Sequence, residues 1–211
     1  MCIRDSLDYY TDRNIKVLEY LLTQGWTDND HLVVSGHSQG SAVATNMAFK
    51  YDKITHLIYS GGSPLGRIMR TINQLYQGGV EKEVYIQKQL AFWEEAVLNK
   101  YDSIPVVPGG VSYRGFYSFS KSQMSQLIKL SIPVLVTYGT KDANNLLNEY
   151  LHLKTIENNL ENFTFIPYSG KEHNFFNVKE NGEVDYQTYN WPTVGKNWAD
   201  WLRNNLSLIH I

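Results

Sequence analysis

The chain has 211 residues, 43% of them hydrophobic and 13% aromatic, a composition that suits an ordinary globular core. Its formal net charge of −2, from 19 basic and 21 acidic residues mixed along the chain, supplies no basic stripe for a phosphate backbone, which excludes nucleic acid as an expected partner. No apolar run approaches the roughly 18 residues a membrane helix needs, so no membrane span is expected in the visible chain.

The two ends are set apart from the rest. The hexapeptides MCIRDS (1–6) and LSLIHI (206–211) back-translate to one DNA element read in opposite directions. ATGTGTATAAGAGACAG encodes the first, and its reverse complement CTGTCTCTTATACACAT reads Leu-Ser-Leu-Ile-His and then Ile or Met. That element resembles a transposase recognition end used in sequencing-library preparation, so both hexapeptides are expected to be scars, with 7–205 as the genuine chain. The single cysteine, Cys2, then belongs to a scar, leaving no native thiol for a disulfide, a metal site or a nucleophile. Cysteine therefore does not distinguish a cytoplasmic from a secreted protein. Met1 is no natural start on this reading, and the chain is expected to be an N-terminally truncated piece.

From Tyr9 to Gln24, Ile15, Val17, Leu18, Leu21 and Leu22 recur at helical spacing, with Gly25 as a stop signal. After a polar turn, HLVVSG (31–36) reads as a strand buried on both faces, followed by GHSQG and a small-residue helix, SAVATNMAFK. ITHLIYSGG (54–62) and SIPVLVTYGTKD (131–142) are two further buried strands that end in glycine-containing loops. A helix over about 144–158 leads to a fourth strand, NFTFIPYSG (162–170). The chain closes with an aromatic helix over 191–206, in which Trp191, Trp198 and Trp201 share one face and are assigned to the core. Alternating strands and helices imply a parallel sheet.

The stretch 64–130 breaks that rhythm. It carries helical segments near 67–77 and 80–99 and then a Gly, Pro, Tyr and Ser-rich passage, IPVVPGGVSYRGFYSFS, and it reads as a lid or cap inserted between two strands of the 7–63 and 131–205 core. Tyr113, Phe116 and Tyr117, with Phe119, either line an acyl or aromatic leaving-group pocket or pack the cap; Arg114 is placed to meet a carboxylate.

The central chemical signal is Gly36-His37-Ser38-Gln39-Gly40, a G-x-S-x-G between a buried strand and a small-residue helix. A turn this tight strains the serine backbone, and Gly36 and Gly40 remove bulk two residues to either side. Ser38 is the expected nucleophile, and the Gln39 N–H at the helix start is the expected oxyanion donor. A serine nucleophile needs a base, and the base needs an acid to orient it. Asp142, directly after VLVTYGT, is the acid or else a helix N-cap, with Asp185 and Glu172 as weaker rivals. Among the six histidines, His210 falls in a scar, His31 lies at the wrong sheet edge, and His56 and His152 lie inside elements. His37 adjoins the nucleophile but is expected to point elsewhere. His173, in YSGKEHNFF after the last strand, is the expected base. Asn162-Phe163-Thr164 forms a glycosylation sequon inside an expected strand and carries no weight.

GHSQG, GTKD and EHNFF, in the order Ser, Asp, His, together resemble the α/β-hydrolase superfamily over nearly all of 7–205. The resemblance implies an α/β-hydrolase fold: a mostly parallel sheet flanked by helices, with a helical lid insertion and, in this chain, its first strands missing. It also implies a second oxyanion donor from an early strand and loop that does not precede the elbow here, so the chain alone is expected to expose an apolar edge and to be poorly active. The implied activity is that of a serine hydrolase cleaving an ester-like acyl bond of a small-molecule substrate. Thioesterase, peptidase and acyltransferase chemistry on the same triad stay open, as does a catalytically silent binding protein. No metal or organic cofactor is implied, since no histidine and carboxylate cluster has ligand spacing.

Overall fold

The computed structural model describes residues 6–78, 82–106 and 110–206. Residues 1–5 and 207–211, with His210, lie outside them, as do 79–81 of the expected second lid helix. The first helix, α1 (Leu7–Leu22), begins at Ser6, whose Oγ accepts the Tyr9 N–H and so satisfies one of the amides a helix start leaves unpaired. HLVVSG supplies β1 (Val33–His37), and the chain turns at Ser38 directly into α2 (Gln39–Lys50). The later apolar runs form β2 (His56–Ser60), β3 (Val134–Gly139) and β4 (Phe163–Tyr168).

These four strands pair in parallel in the order β1-β2-β3-β4. Parallel neighbours need a crossover, and α2 supplies it between β1 and β2, while α7 (Asn145–Glu157) supplies it between β3 and β4. Because side chains alternate across a strand, Leu57, Tyr59, Val134 and Val136 face α2 and α7, with α1 packed behind. Ile58 and Leu135 face the other way, onto Trp198 and Trp201 of α8 (Trp191–Leu206). Every residue of β2 and β3 is buried, the condition that makes their sequences read as continuous apolar runs.

The crossover between β2 and β3 is the 64–130 insertion. It holds α3 (Gly66–Tyr76), α4 (Glu83–Leu98), α5 (Tyr113–Ser120) and the short α6 (Met124–Leu127), with a small core of its own around Ile68, Ala96 and Phe116. Within the Gly, Pro, Tyr and Ser-rich passage, whose residues 107–109 lie outside the described ones, 113–120 is helical. Ser112 caps α5 by accepting the Gly115 N–H at 3.0 Å, and Phe116 and Phe119 bury one face of the helix. A two-stranded antiparallel pair, β5 (Asn177–Val178) and β6 (Val184–Asp185), also went unread in the sequence.

Among the described residues no strand pairs with the outer edge of β1. A groove of about 400 Å³ runs beside that edge, lined by Val17, Leu18, Leu21, Val33, Val43 and Met47 among others. Among the described residues, no helix is long and apolar enough to cross a membrane.

Candidate active site

Ser38 stands at the carboxyl end of β1 with φ 57° and ψ −124°, a positive-φ conformation that a residue with a side chain seldom adopts. Three hydrogen bonds hold it there. Its N–H donates to the Ser60 carbonyl at 2.8 Å, and its carbonyl accepts both the Ser41 N–H at 3.1 Å and the Ser41 hydroxyl at 2.6 Å. Gly36 is required by close approach, since a Cβ there would lie 2.1 Å from the Gly40 carbonyl oxygen. Gly40 is different: a Cβ on it would meet nothing within 4 Å, because it faces the groove on the open side of β1. The expected steric role of that second glycine is thus not found in the described structure. Gln39 begins α2, so its N–H is among the first-turn amides that no helix carbonyl can reach, at the positive end of the helix dipole.

Asp142 follows β3 and is 2% exposed. The helix that follows is capped at Asn144, so Asp142 is not its N-cap: Oδ1 accepts the Asn144 N–H at 3.0 Å within the turn, while Oδ2 lies 2.7 Å from His173 Nδ1. His173 Nε2 in turn lies 2.8 Å from Ser38 Oγ. Three loops at the carboxyl edge of one sheet therefore bring Ser38, His173 and Asp142 into a single chain of hydrogen bonds. The His173 loop passes close to the end of β3 because Gly139 leaves room for it; a Cβ at Gly139 would lie 2.3 Å from the Lys171 carbonyl oxygen. Lys141 N–H then donates to that carbonyl at 2.8 Å, fixing the loop against the Asp142 turn. Glu172 is occupied within the same loop, its Oε1 accepting the Asn174 and Phe176 N–H groups, and Asp185 accepts the Gln187 N–H.

His37 points behind the site, its ring centroid 5.0 Å from that of His173 and 5.0 Å from Trp191. Burial, reinforced by the neighbouring His173, pulls its pKa from 6.5 down to about 4, so it is neutral near pH 7. The remaining described histidines serve elsewhere. His31 pairs with Asp28, His56 is buried edge-on to Trp201, and His152 stacks on Phe165. Trp191 departs from its expected place against the sheet: it packs on His37 and Phe175, beneath the site. The Asn162 amide is engaged by the Leu130 and Ile132 carbonyls at the return from the insertion.

A cavity of about 220 Å³ opens beside Ser38, between the sheet edge and the insertion. Tyr113, Phe116 and Tyr117 do not line it. Tyr113 donates its hydroxyl to Glu95, Phe116 packs in the insertion's core and Tyr117 stacks on Trp93, so the cap-packing alternative describes them better. Of the aromatics singled out in the insertion, Phe119 alone reaches the cavity. Arg67 and Arg70 line it as well and escaped the sequence reading, whereas Arg114 lines a separate cavity. Their signal was available: two arginines at i and i+3 in a stretch from Pro64 to Val80 that contains no acidic residue. Among the described residues no group of three or more His, Cys, Asp and Glu side chains is placed to hold a metal ion.

No protein-family profile matches the chain, and no curated protein matches it in sequence. Solved structures do match. Est1E from Butyrivibrio proteoclasticus aligns over 96% of this chain and 72% of its own, at 15% identity and a TM-score of 0.58. MenH from S. aureus aligns over 95% of this chain and 76% of its own, at 15% identity and 0.54. A 2,6-dihydroxy-pseudo-oxynicotine hydrolase aligns over 80% of this chain at 16% identity and 0.54, and the chain spans only 41% of that protein's length. At such identities the likeness speaks for architecture alone. With its parallel sheet, strained serine turn and inserted helices, the chain has the α/β-hydrolase fold.

Proposed function

We propose that the protein is a serine hydrolase that cleaves an ester-like acyl bond through Ser38, His173 and Asp142. The observation that carries this reading is the relay of 2.8 Å from Ser38 Oγ to His173 Nε2 and 2.7 Å from His173 Nδ1 to Asp142 Oδ2. Asp142, nearly shut off from water, accepts a hydrogen bond from the Nδ1–H and so leaves Nε2 as the base that faces the serine. As Ser38 Oγ attacks the carbonyl carbon, its proton passes to His173 Nε2, and the imidazolium formed is stabilised by the Asp142 carboxylate. The Gln39 N–H holds the oxyanion. His173 then gives its proton to the leaving alcohol, and water, deprotonated by the same nitrogen, releases the acid. The hydrolases among the similar structures favour the same class of reaction.

Among the described residues no second oxyanion donor is assigned. The test is hydrolysis of short-chain 4-nitrophenyl esters by the full chain and by two variants. Asp142→Asn is expected to lower kcat by about 10⁴-fold through loss of the correct tautomer, and His173→Ala by at least as much. Turnover that survives both substitutions would remove these residues from the mechanism.

A further inference from the structure

Arg67 and Arg70 are one turn apart on α3, so their side chains share a face, and that face turns toward Ser38. The Arg67 guanidinium lies over the Phe119 ring at 5.4 Å and donates to Gln39 Oε1 at 2.7 Å, on the residue next to the nucleophile. Arg70 Nε is buried without a hydrogen-bond partner. No aspartate or glutamate lines the cavity, and neither arginine takes part in an ion pair among the described residues. Its unpartnered acceptors, Gln123 Oε1 and Asn144 Oδ1, are neutral and do not cancel the charge.

Burial, and then the neighbouring Arg70 charge, make the charged form of Arg67 harder to keep. An anion seated between the two like charges would offset that cost. Guanidinium forks match a carboxylate in two parallel N–H···O bonds, and the ring beneath Arg67 fixes the plane in which that fork is offered.

We infer that the substrate carries a carboxylate, on its acyl or its alcohol side, and that Arg67 and Arg70 seat this group in the cavity beside Ser38. The inference rests on the serine-hydrolase reading for its reaction but not for its binding. With about 220 Å³ available, the part of the substrate held there is compact.

The experiment has a kinetic arm and a binding arm, both on the full chain. In the first, mono-4-nitrophenyl glutarate is compared with 4-nitrophenyl valerate, and 4-(butyryloxy)benzoate with its methyl ester. The wild type is expected to prefer one of the anionic esters over its neutral match by at least about 10-fold in kcat/KM. Arg70→Gln is expected to lower that value about 10- to 100-fold, leaving the neutral ester within about 3-fold, with Arg70→Lys in between. In the second arm, calorimetry reads glutarate and benzoate binding to Ser38→Ala, expected to disappear when Arg70→Gln is added. Equal rates on charged and neutral esters together with no carboxylate binding would overturn the inference while leaving the hydrolase intact. Arginine-dependent binding without turnover of any ester would sustain the inference and sink the hydrolase.

Discussion

His37 packs against the back of His173, and its protonation state is a property of the fold. The native chain keeps it neutral down to about pH 4, whereas the unfolded chain protonates it at its ordinary 6.5. Between those values the unfolded state holds the extra proton, so stability falls as pH drops through that window. His56, buried in β2, is displaced in the same direction. His37→Gln is expected to flatten the decline, measured as the denaturant midpoint at about pH 7 and about pH 4.5; an unchanged slope would contradict the assignment. At this scale the sequence was most legible where chemistry and local geometry coincide. Ser38 and Asp142 each follow a strand that announces itself as an apolar run, and His173 follows the last strand, so their shared edge could be read before their contacts. Arg67 and Arg70 could not be placed in this way, because which face of α3 meets the site depends on how the insertion folds back over it.

Among the elements, the turn from β1 into α2 separates two glycines that the motif treats alike. Gly36→Ala puts a methyl group 2.1 Å from backbone that cannot give way, and the expected loss is about 3 kcal/mol with a fall in activity. Gly40→Ala meets nothing and replaces a glycine within a helix, so a gain of roughly 0.5–1 kcal/mol is expected. Thermal unfolding of the two variants separates these outcomes, and an equal loss in both would show that Gly40 is confined in a way the described residues do not explain. The strands followed from their apolar runs and α1 from apolar periodicity, since α1 buries a face against α2, while α7 and α8 were legible as helices that alternate with the strands. α5 was not: its stability comes from a serine cap and aromatic packing within the insertion, while its glycine, serines and tyrosines weigh against a helix in composition. The β5 and β6 strands are two residues each, too short for any period to register.

For the whole molecule, the two faces of the sheet are covered unequally. α1, α2, α6 and α7 contribute to one, and α8 covers the other through Trp201, with Trp198 and Leu202 beside it on Ile58 and Leu135. Trp201→Ala is expected to lose about 3–5 kcal/mol, read as a shift in the denaturant midpoint; a loss under about 1 kcal/mol would mean that α8 contributes little to holding the sheet. The parallel sheet and the inserted helices were legible as a whole because alternating strand and helix patterns allow few other architectures. The strand order was not, since nothing in an apolar run names its neighbour. At the sheet edge this architecture holds one serine 2.8 Å from one histidine, the contact on which the proposed hydrolase reading rests. The most direct test is to treat the full chain with a fluorophosphonate probe and map the adduct by mass spectrometry. A single adduct on Ser38, absent in Ser38→Ala and slowed in His173→Ala, is the predicted result. A folded wild type that takes up no label, or a label that persists in Ser38→Ala, would contradict it.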